Sequence, residues 1–268
     1  MNPSEIQNTY QKSPIRFYTE CLDVDPKYVW DKMVEISESV RDNQFTAVKA
    51  GNSLSKSYTA ARIALWFLYT HYPSTVVTTA PSQSQVEDII WREISSAHGN
   101  ARVPLGGEVL KTGLDLQREV NGDKWFATGF ATRPDTVTQQ ATRVQGFHNH
   151  HVLVIMDEAA GILPEIWLSV NKLLTTPRQK LLVIGNPTVA SGDFVNCFKD
   201  ARFNKITVSV FDSPNYKAGE EVIPGLSGRE FVDFVRTKWG EGSNYWKAMV
   251  TGDIPDEDVD SLIPVAWV

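Results

Sequence analysis

Cysteine is scarce in this 268-residue chain: Cys21 and Cys197 are the only two. They lie far apart and fit neither a C-x-x-C nor a metal-type spacing. A disulfide framework is therefore set aside, and two buried or idle thiols are expected. Long apolar runs are missing as well. None approaches the roughly 18 residues that a membrane helix needs, and the opening M-N-P-S-E-I-Q-N has no basic-then-apolar leader pattern. A reducing, cytoplasmic setting is the expectation. Nor is there an excess of positive charge. A net charge of -6 argues against a surface that coats nucleic acid indiscriminately, since such binding relies on Lys and Arg neutralising phosphates. Any DNA contact would be local or would come from outside this chain. Internal repeats and low-complexity tracts are also lacking. What is present, 42% hydrophobic and 22% charged residues, is enough to bury a large core as one sizeable α/β domain with small additions.

The stretch that organises the rest is T-A-V-K-A-G-N-S-L-S-K-S-Y-T-A-A, residues 46–61. A short apolar strand at 45–49 runs into a loop of small residues, a Lys-Ser pair, and a helix-forming stretch with Arg62, Ile63, Leu65, Trp66 and Leu68. A phosphate-binding loop needs this context, because backbone N–H groups wrap the phosphates at a helix N-terminus. Ala50, Gly51, Asn52, Ser53, Leu54, Ser55, Lys56 and Ser57 would form the loop. Lys56 would reach the β- and γ-phosphates, and the Ser57 hydroxyl would hold Mg²⁺. Against G-x-x-x-x-G-K-[ST], Ala50 replaces the first Gly and Ser55 the second. If the loop needs positive φ at Ser55, the cost is about 1–2 kcal/mol. A polar turn ahead of a buried helix is the alternative.

Upstream, residues 1–13 are polar and expected to fray. Residues 14–40 read as helices anchored by Phe17, Leu22, Val29, Trp30, Met33 and Ile36, a lid or adapter. Downstream, S-T-V-V-T-T at 74–79 reads as a buried strand. Val86, Ile89, Ile90, Ile94 and Ala97 then mark one helix face that stops near Gly99. Alternating runs between 114 and 130 flank Asn121-Gly122, a hairpin signal. V-L-V-I-M at 152–156 is a strand covered on both faces. Pro164 opens a helix with Ile166, Trp167, Val170, Leu173 and Leu174 on one side, and 181–184 is another buried strand. Residues 206–211 alternate as a strand. Ser227-Gly-Arg-Glu230 has the pattern of a capping box for a helix with Phe231, Phe234, Val235 and Trp239. The apolar close, S-L-I-P-V-A-W-V, is expected to lead toward a further domain.

Strands alternating with helices imply a mostly parallel sheet, whose ligands sit at the C-terminal strand ends. Three such ends carry what a nucleotide site needs: Lys56-Ser57, Asp157-Glu158 and Asn186. Asp157 after an apolar run fits a Walker B aspartate that holds Mg²⁺ directly or from the second shell. Glu158 could orient and deprotonate the attacking water; a solvated turn is the alternative for the pair. A strand between the two motifs, and Glu directly after Asp, favour the RecA-like branch and hydrolysis over transfer to a second substrate. Arg143 in T-R-V-Q-G-F-H is the first choice for the cation that neutralises transition-state charge, with a surface Arg as the alternative. Lys49 is a second cation near the loop. Trp30 and Gln44 could contact adenine, or Trp30 could simply pack in the core. His148, His150 and His151 invite a metal reading, but no second His pair or Cys accompanies them, and a loop before a strand accounts for them.

In order and spacing, A-G-N-S-L-S-K-S, T-T-A-P-S-Q-S-Q-V, R-V-Q-G-F-H, V-L-V-I-M-D-E-A-A-G, I-G-N-P-T, F-D-S-P-N-Y and T-G-D-I-P together resemble the ATPase domain of the large terminase subunit, the DNA-packaging motor of tailed phages. The resemblance covers residues 14–268. It implies an α/β, RecA-like (ASCE) P-loop NTPase fold, with a lid at 1–40, a core at 41–255 and a linker start at 256–268. It also implies Mg²⁺-dependent ATP hydrolysis that drives double-stranded DNA into a procapsid. The motor would be a homo-oligomeric ring, a pentamer, docked on the portal protein in the host cytoplasm, with a small terminase subunit as partner and a nuclease domain beyond this chain. By family role, Lys56 and Ser57 bind phosphate and Mg²⁺, Asp157 supports the metal, Glu158 is the catalytic carboxylate, Asn186 lies in the coupling motif and Arg143 acts on a neighbour's ATP. Two departures stand out: Ser55 in place of Gly bears on nucleotide affinity, and Asp31 after Trp30, in place of Gln, bears on the adenine contacts. A helicase-like translocase and a nucleotide-binding protein without turnover are the competing readings.

Overall fold

The computed structural model describes residues 3–115, 125–132, 146–147 and 149–259. Helices α1 (Pro3–Tyr10), α2 (Pro14–Glu20) and α3 (Asp31–Asp42) precede strand β1 (Phe45–Ala50) and helix α4 (Lys56–Thr70). Strand β2 (Ser74–Ala80) is followed by a wide helical segment, Gln85–Trp91, that continues as α5 (Arg92–Gly99). Then come β3 (Glu108–Leu110), β4 (Gly113–Asp115), β5 (Phe126–Ala131), β6 (His151–Asp157), α6 (Pro164–Leu173), β7 (Gln179–Gly185), α7 (Asp193–Cys197) and β8 (Phe203–Val208). Helices α8 (Pro214–Ala218), α9 (Arg229–Trp239) and α10 (Asn244–Trp246) follow, the last continuing into a wide turn, Lys247–Thr251.

Hydrogen-bonded neighbours in the eight-stranded sheet run β3-β4-β5-β2-β6-β7-β1-β8. The sheet is mostly parallel: β2 pairs in parallel with β5 and β6, while β3, β4 and β5 form an antiparallel margin. β2 is buried along its whole length, and β6 everywhere except at its first residue, as their β-branched and apolar sequences require of strands covered on both faces. Asp115 pairs with Phe126 and Leu114 with Ala127, the register of two hairpin arms. Asn121-Gly122 itself lies outside the described residues.

The chain divides into two compact units. The first comprises Met1–Thr46, Ser57–Asp157 and Gly161–Leu182. Its centre is α4, apolar nearly all round, with Ala60, Ala61, Ile63, Leu65, Trp66, Phe67 and Leu68 excluded from solvent. One cation interrupts that surface. Arg62 is only 2% exposed; its guanidinium meets Glu93 at 2.7 Å and Asp23 at 3.2 Å and lies 3.4 Å from the Tyr58 ring centroid, so the buried charge is paired. From Pro3 onward the N-terminal stretch is not a frayed tail. α1 forms, Tyr10 is buried, and its carbonyl accepts the Trp66 indole N–H while its hydroxyl donates to Glu20. At the C-terminal end of α3, Lys180 donates to the carbonyls of Arg41 and Asn43, and burial lowers its pKa to about 8.

His71 belongs to the same unit. It stacks on Phe67 at 4.3 Å, and burial, with His151 nearby, pushes its pKa down from 6.5 to about 3. The unfolded chain therefore takes up a proton below pH 6.5 that the folded chain refuses until about pH 3. The stability contributed by neutral His71 is complete above 6.5 and is lost across that window, at up to about 1.4 kcal/mol per pH unit. Urea midpoints measured from pH 7 to 4 are expected to fall, and to fall less steeply in His71→Phe. Parallel slopes would show that other groups set the acid limb.

The second unit comprises Ala47–Lys56, Glu158–Ala160 and Val183–Val268. Here two expectations are corrected. The strand expected at 206–211 runs instead over Phe203–Val208, because Ser209 and Asp212 cap each other's backbone and turn 210–212 into a short 3₁₀ segment. Ser227 does not cap the helix that follows. Gly228 occupies that position with no side-chain bond, and the Ser227 hydroxyl is used elsewhere. Val232 and Val235 face inward on α9, whereas Phe234 is 54% exposed. In the first unit, Ile89 likewise departs from the expected face. The wide turns of Gln85–Trp91 leave it exposed while Val86, Ile90, Ile94 and Ala97 are buried.

Candidate active site

The loop between β1 and α4 is fixed from behind. Ala50 ends β1 fully buried, and its carbonyl accepts the Asn186 side-chain amide at 2.8 Å. The Gly51 N–H donates to Val208 O at 2.9 Å and the Asn52 N–H to Met249 O at 2.8 Å. A Cβ at Gly51 would lie 2.8 Å from Met249 O and 3.0 Å from Val250 O, so only glycine permits this approach of two backbones. Leu54 is buried. Ser53 and Ser55 stand at φ 50° and 56°, the left-handed region. Ser55 therefore adopts the backbone that the missing glycine would have taken freely. Lys56 is 9% exposed and folds back so that Nζ donates to Gly51 O at 3.2 Å.

One residue further on, the Ser57 hydroxyl donates to Asp157 Oδ2 at 2.7 Å, joining positions 100 residues apart. Asp157 is the last residue of β6 and 1% exposed. Peptide bonds place Lys56 and Glu158 next to the members of this pair. Glu158 stands at φ 48°, a strained conformation for a residue with a Cβ. Gly185, the last residue of β7, makes room for it: a Cβ there would lie 3.0 Å from Ala159 N and 3.3 Å from the Glu158 backbone. Asn186 follows at once.

Other sequence candidates are placed differently. Lys49 is held by Asp253 at 2.7 Å and by Gly252 O at 3.1 Å. Trp30 is buried at the start of α3, and the Gln44 amide donates to Thr176 O. His150 lies 2.8 Å from the Arg178 guanidinium, and His151 faces Pro73 O. Among the described residues no three His, Cys, Asp or Glu gather to hold a metal. Arg143 and His148 lie outside the described residues. Ser227, read from the sequence only as a helix cap, reaches the loop from behind: its N–H donates to Ser53 O and its hydroxyl to Asn52 O.

A strand–loop–helix unit on a mostly parallel sheet, with the Ser57–Asp157 bond linking the start of α4 to the end of β6 while β7 lies between β6 and β1, defines the class: an α/β fold of the RecA-like kind. Within that class the chain resembles phage large terminase subunits, in sequence and in fold. It is 27% identical over 172 residues to the probable large terminase subunit of Enterobacteria phage P7, a match that covers 63% of this chain and 34% of the relative. The chain thus spans about a third of that relative's length. The Thermus phage P74-26 large terminase ATPase domain superposes with a TM-score of 0.57 at 17% identity, covering 82% of this chain and 92% of that one. The large terminase from a thermophilic bacteriophage gives 0.60 at 11% identity, covering 83% and 53%. That same large terminase in complex with ATP-gamma-S gives 0.55 at 12%, covering 84% and 53%. No family model matches the sequence.

Proposed function

We propose that this chain hydrolyses ATP to ADP and phosphate as the motor domain of a phage large terminase. The observation that carries the reading is the Ser57–Asp157 hydrogen bond, which joins the two halves of the motif pair. The sequence relative, the fold, and the ADP and ATP-gamma-S complexes of the thermophilic phage's large terminase support it.

In this reading the loop 50–57 cradles the triphosphate and Lys56 leaves Gly51 O to pair with phosphate oxygens. Ser57 and Asp157 present hard oxygens side by side, a donor set that suits Mg²⁺ shared with substrate phosphates. Bound there, Mg²⁺ would neutralise phosphate charge. Glu158 orients the attacking water and accepts its proton. Arg143 stabilises the charge on the transferring phosphoryl group, and Asn186, bonded to the loop at Ala50, passes the change in loop shape onward. Trp30 and Gln44 are assigned to the adenine side.

The partners of the whole motor belong to the same proposal: double-stranded DNA, the portal protein, a small terminase subunit and a pentameric ring in the host cytoplasm. So do the roles of residues 1–40 as adapter, 41–255 as motor core and 256–268 as the start of a link to a further domain.

The test is Mg²⁺-dependent ADP release measured against protein concentration. Specific activity should rise with concentration, and Arg143→Ala should lower it. Mixing Arg143→Ala with Glu158→Gln restores turnover if the arginine acts on a neighbour's ATP and does not if it acts within its own chain. ATP left intact after long incubation at high protein concentration would favour binding without turnover, and strand unwinding by the chain would favour a helicase.

A further inference from the structure

The F-D-S-P-N-Y stretch at 211–216 and the serine that fails to cap α9 have no part in the chemistry above, yet they form one connected device within the second unit. We propose that residues 213–227 act as a clamp that sets the shape of the phosphate loop, with Ser227 as the positioning residue that touches the loop and Asn215 as its organiser. The proposal rests on the ATPase reading for its effect on nucleotide and stands on geometry for its mechanical half.

Asn215 is 3% exposed, and all four of its side-chain bonds go to one loop. Its Nδ2 donates to Ile223 O at 2.8 Å and Leu226 O at 2.9 Å, and its Oδ1 accepts the N–H groups of Val222 at 3.0 Å and Ile223 at 2.8 Å. A buried amide with every position satisfied fixes a loop as secondary structure would. Ser213 prepares it by accepting the Asn215 N–H at 3.2 Å. The next residue after this loop is Ser227, 7% exposed, whose hydroxyl donates to Asn52 O at 2.8 Å and whose N–H donates to Ser53 O at 2.9 Å. Both acceptors are carbonyls of the phosphate loop, and the second belongs to a residue at positive φ. With those carbonyls tied behind the loop, the peptide planes that carry the following N–H groups have fixed orientations. A phosphate cradle needs that fixity, and serines held at positive φ need surrounding contacts that offset their strain.

The experiment pairs hydrogen exchange with nucleotide binding on the full chain. In Ser227→Ala, exchange across residues 50–57 should accelerate about tenfold without nucleotide. The Kd for ATP should rise about tenfold, with kcat at saturating ATP within about twofold of the parent. Ser227→Thr, which keeps the hydroxyl, should restore both, and Asn215→Ala should add faster exchange at 222–227. Unchanged exchange at 50–57 in Ser227→Ala overturns the clamp whether or not the protein turns over ATP. Faster exchange with unchanged Kd overturns its role in nucleotide binding. A parent protein that neither binds nor hydrolyses ATP instead overturns the ATPase reading, and exchange alone then decides the clamp. Should Asn215→Ala fail to fold, the Ser227 pair carries the test.

Discussion

Replacing Glu158 with Gln is expected to lower ATP turnover at saturating nucleotide by about 10²–10⁴-fold, the usual contribution of a positioned general base, while leaving the Kd for ATP within a few-fold. Gln keeps the size and hydrogen-bonding reach of the side chain and removes its capacity to take a proton. The backbone makes a second, independent forecast. Glu158 is held at φ 48° at a cost of about 1–2 kcal/mol, and Gly185 leaves the space that this conformation occupies. Glu158→Gly should therefore be as inactive as Glu158→Gln yet unfold at an equal or higher temperature, because strain is relieved and only about 0.5–1 kcal/mol of backbone entropy opposes the gain. Loss of function without loss of stability is the expected behaviour of a residue strained for chemistry. Turnover in Glu158→Gln equal to that of the parent would remove the carboxylate from the mechanism. A large drop in melting temperature for Glu158→Gly would remove the strain.

Residues with a strong local reason for their position were legible beforehand. The run 152–156 was expected to be a strand covered on both faces, and β6 is buried from its second residue to Asp157 at its end. Ser55 was legible in a subtler way, since the pattern it departs from asks for glycine, and the structure holds it at φ 56°. What could not be read is contact between distant parts of the chain. Ser227 looks like a helix cap because the three residues after it fit that local motif, but its hydroxyl is taken by a carbonyl 175 positions earlier. The left-handed backbone at Glu158 leaves no mark in D-E-A-A-G either, because the glycine that permits it is Gly185, on another strand. Ile89 was misplaced for a different reason. A 3.6-residue period treats every apolar residue near the stripe as inward, whereas the widened turns at Gln85–Trp91 leave it exposed.

Opposite results are expected from two substitutions four residues apart in the phosphate loop. Gly51→Ala adds a methyl group 2.8 Å from Met249 O and 3.0 Å from Val250 O. Both are backbone atoms that cannot swing aside, so the loop itself must move, at about 1–3 kcal/mol for an overpacked site. That movement strains the Gly51–Val208 and Asn52–Met249 bonds that set the loop's course. ATP affinity should fall by about 100-fold or more even where the protein stays folded, because the N–H groups facing the phosphates move with the loop. Ser55→Gly changes the same loop in the other sense: a residue at φ 56° gains the conformational freedom the motif calls for. Melting temperature should hold or rise, and ATP should bind at least as tightly. Ser55→Ala keeps the strain without the hydroxyl and separates the two contributions. Titration of each variant with ATP, alongside thermal unfolding, reads the outcome. Wild-type affinity in Gly51→Ala would mean that the loop is not the phosphate cradle. Weaker binding in Ser55→Gly but not in Ser55→Ala would mean that rigidity at this position, supplied here by a strained serine, matters more to the ligand than relief of that strain.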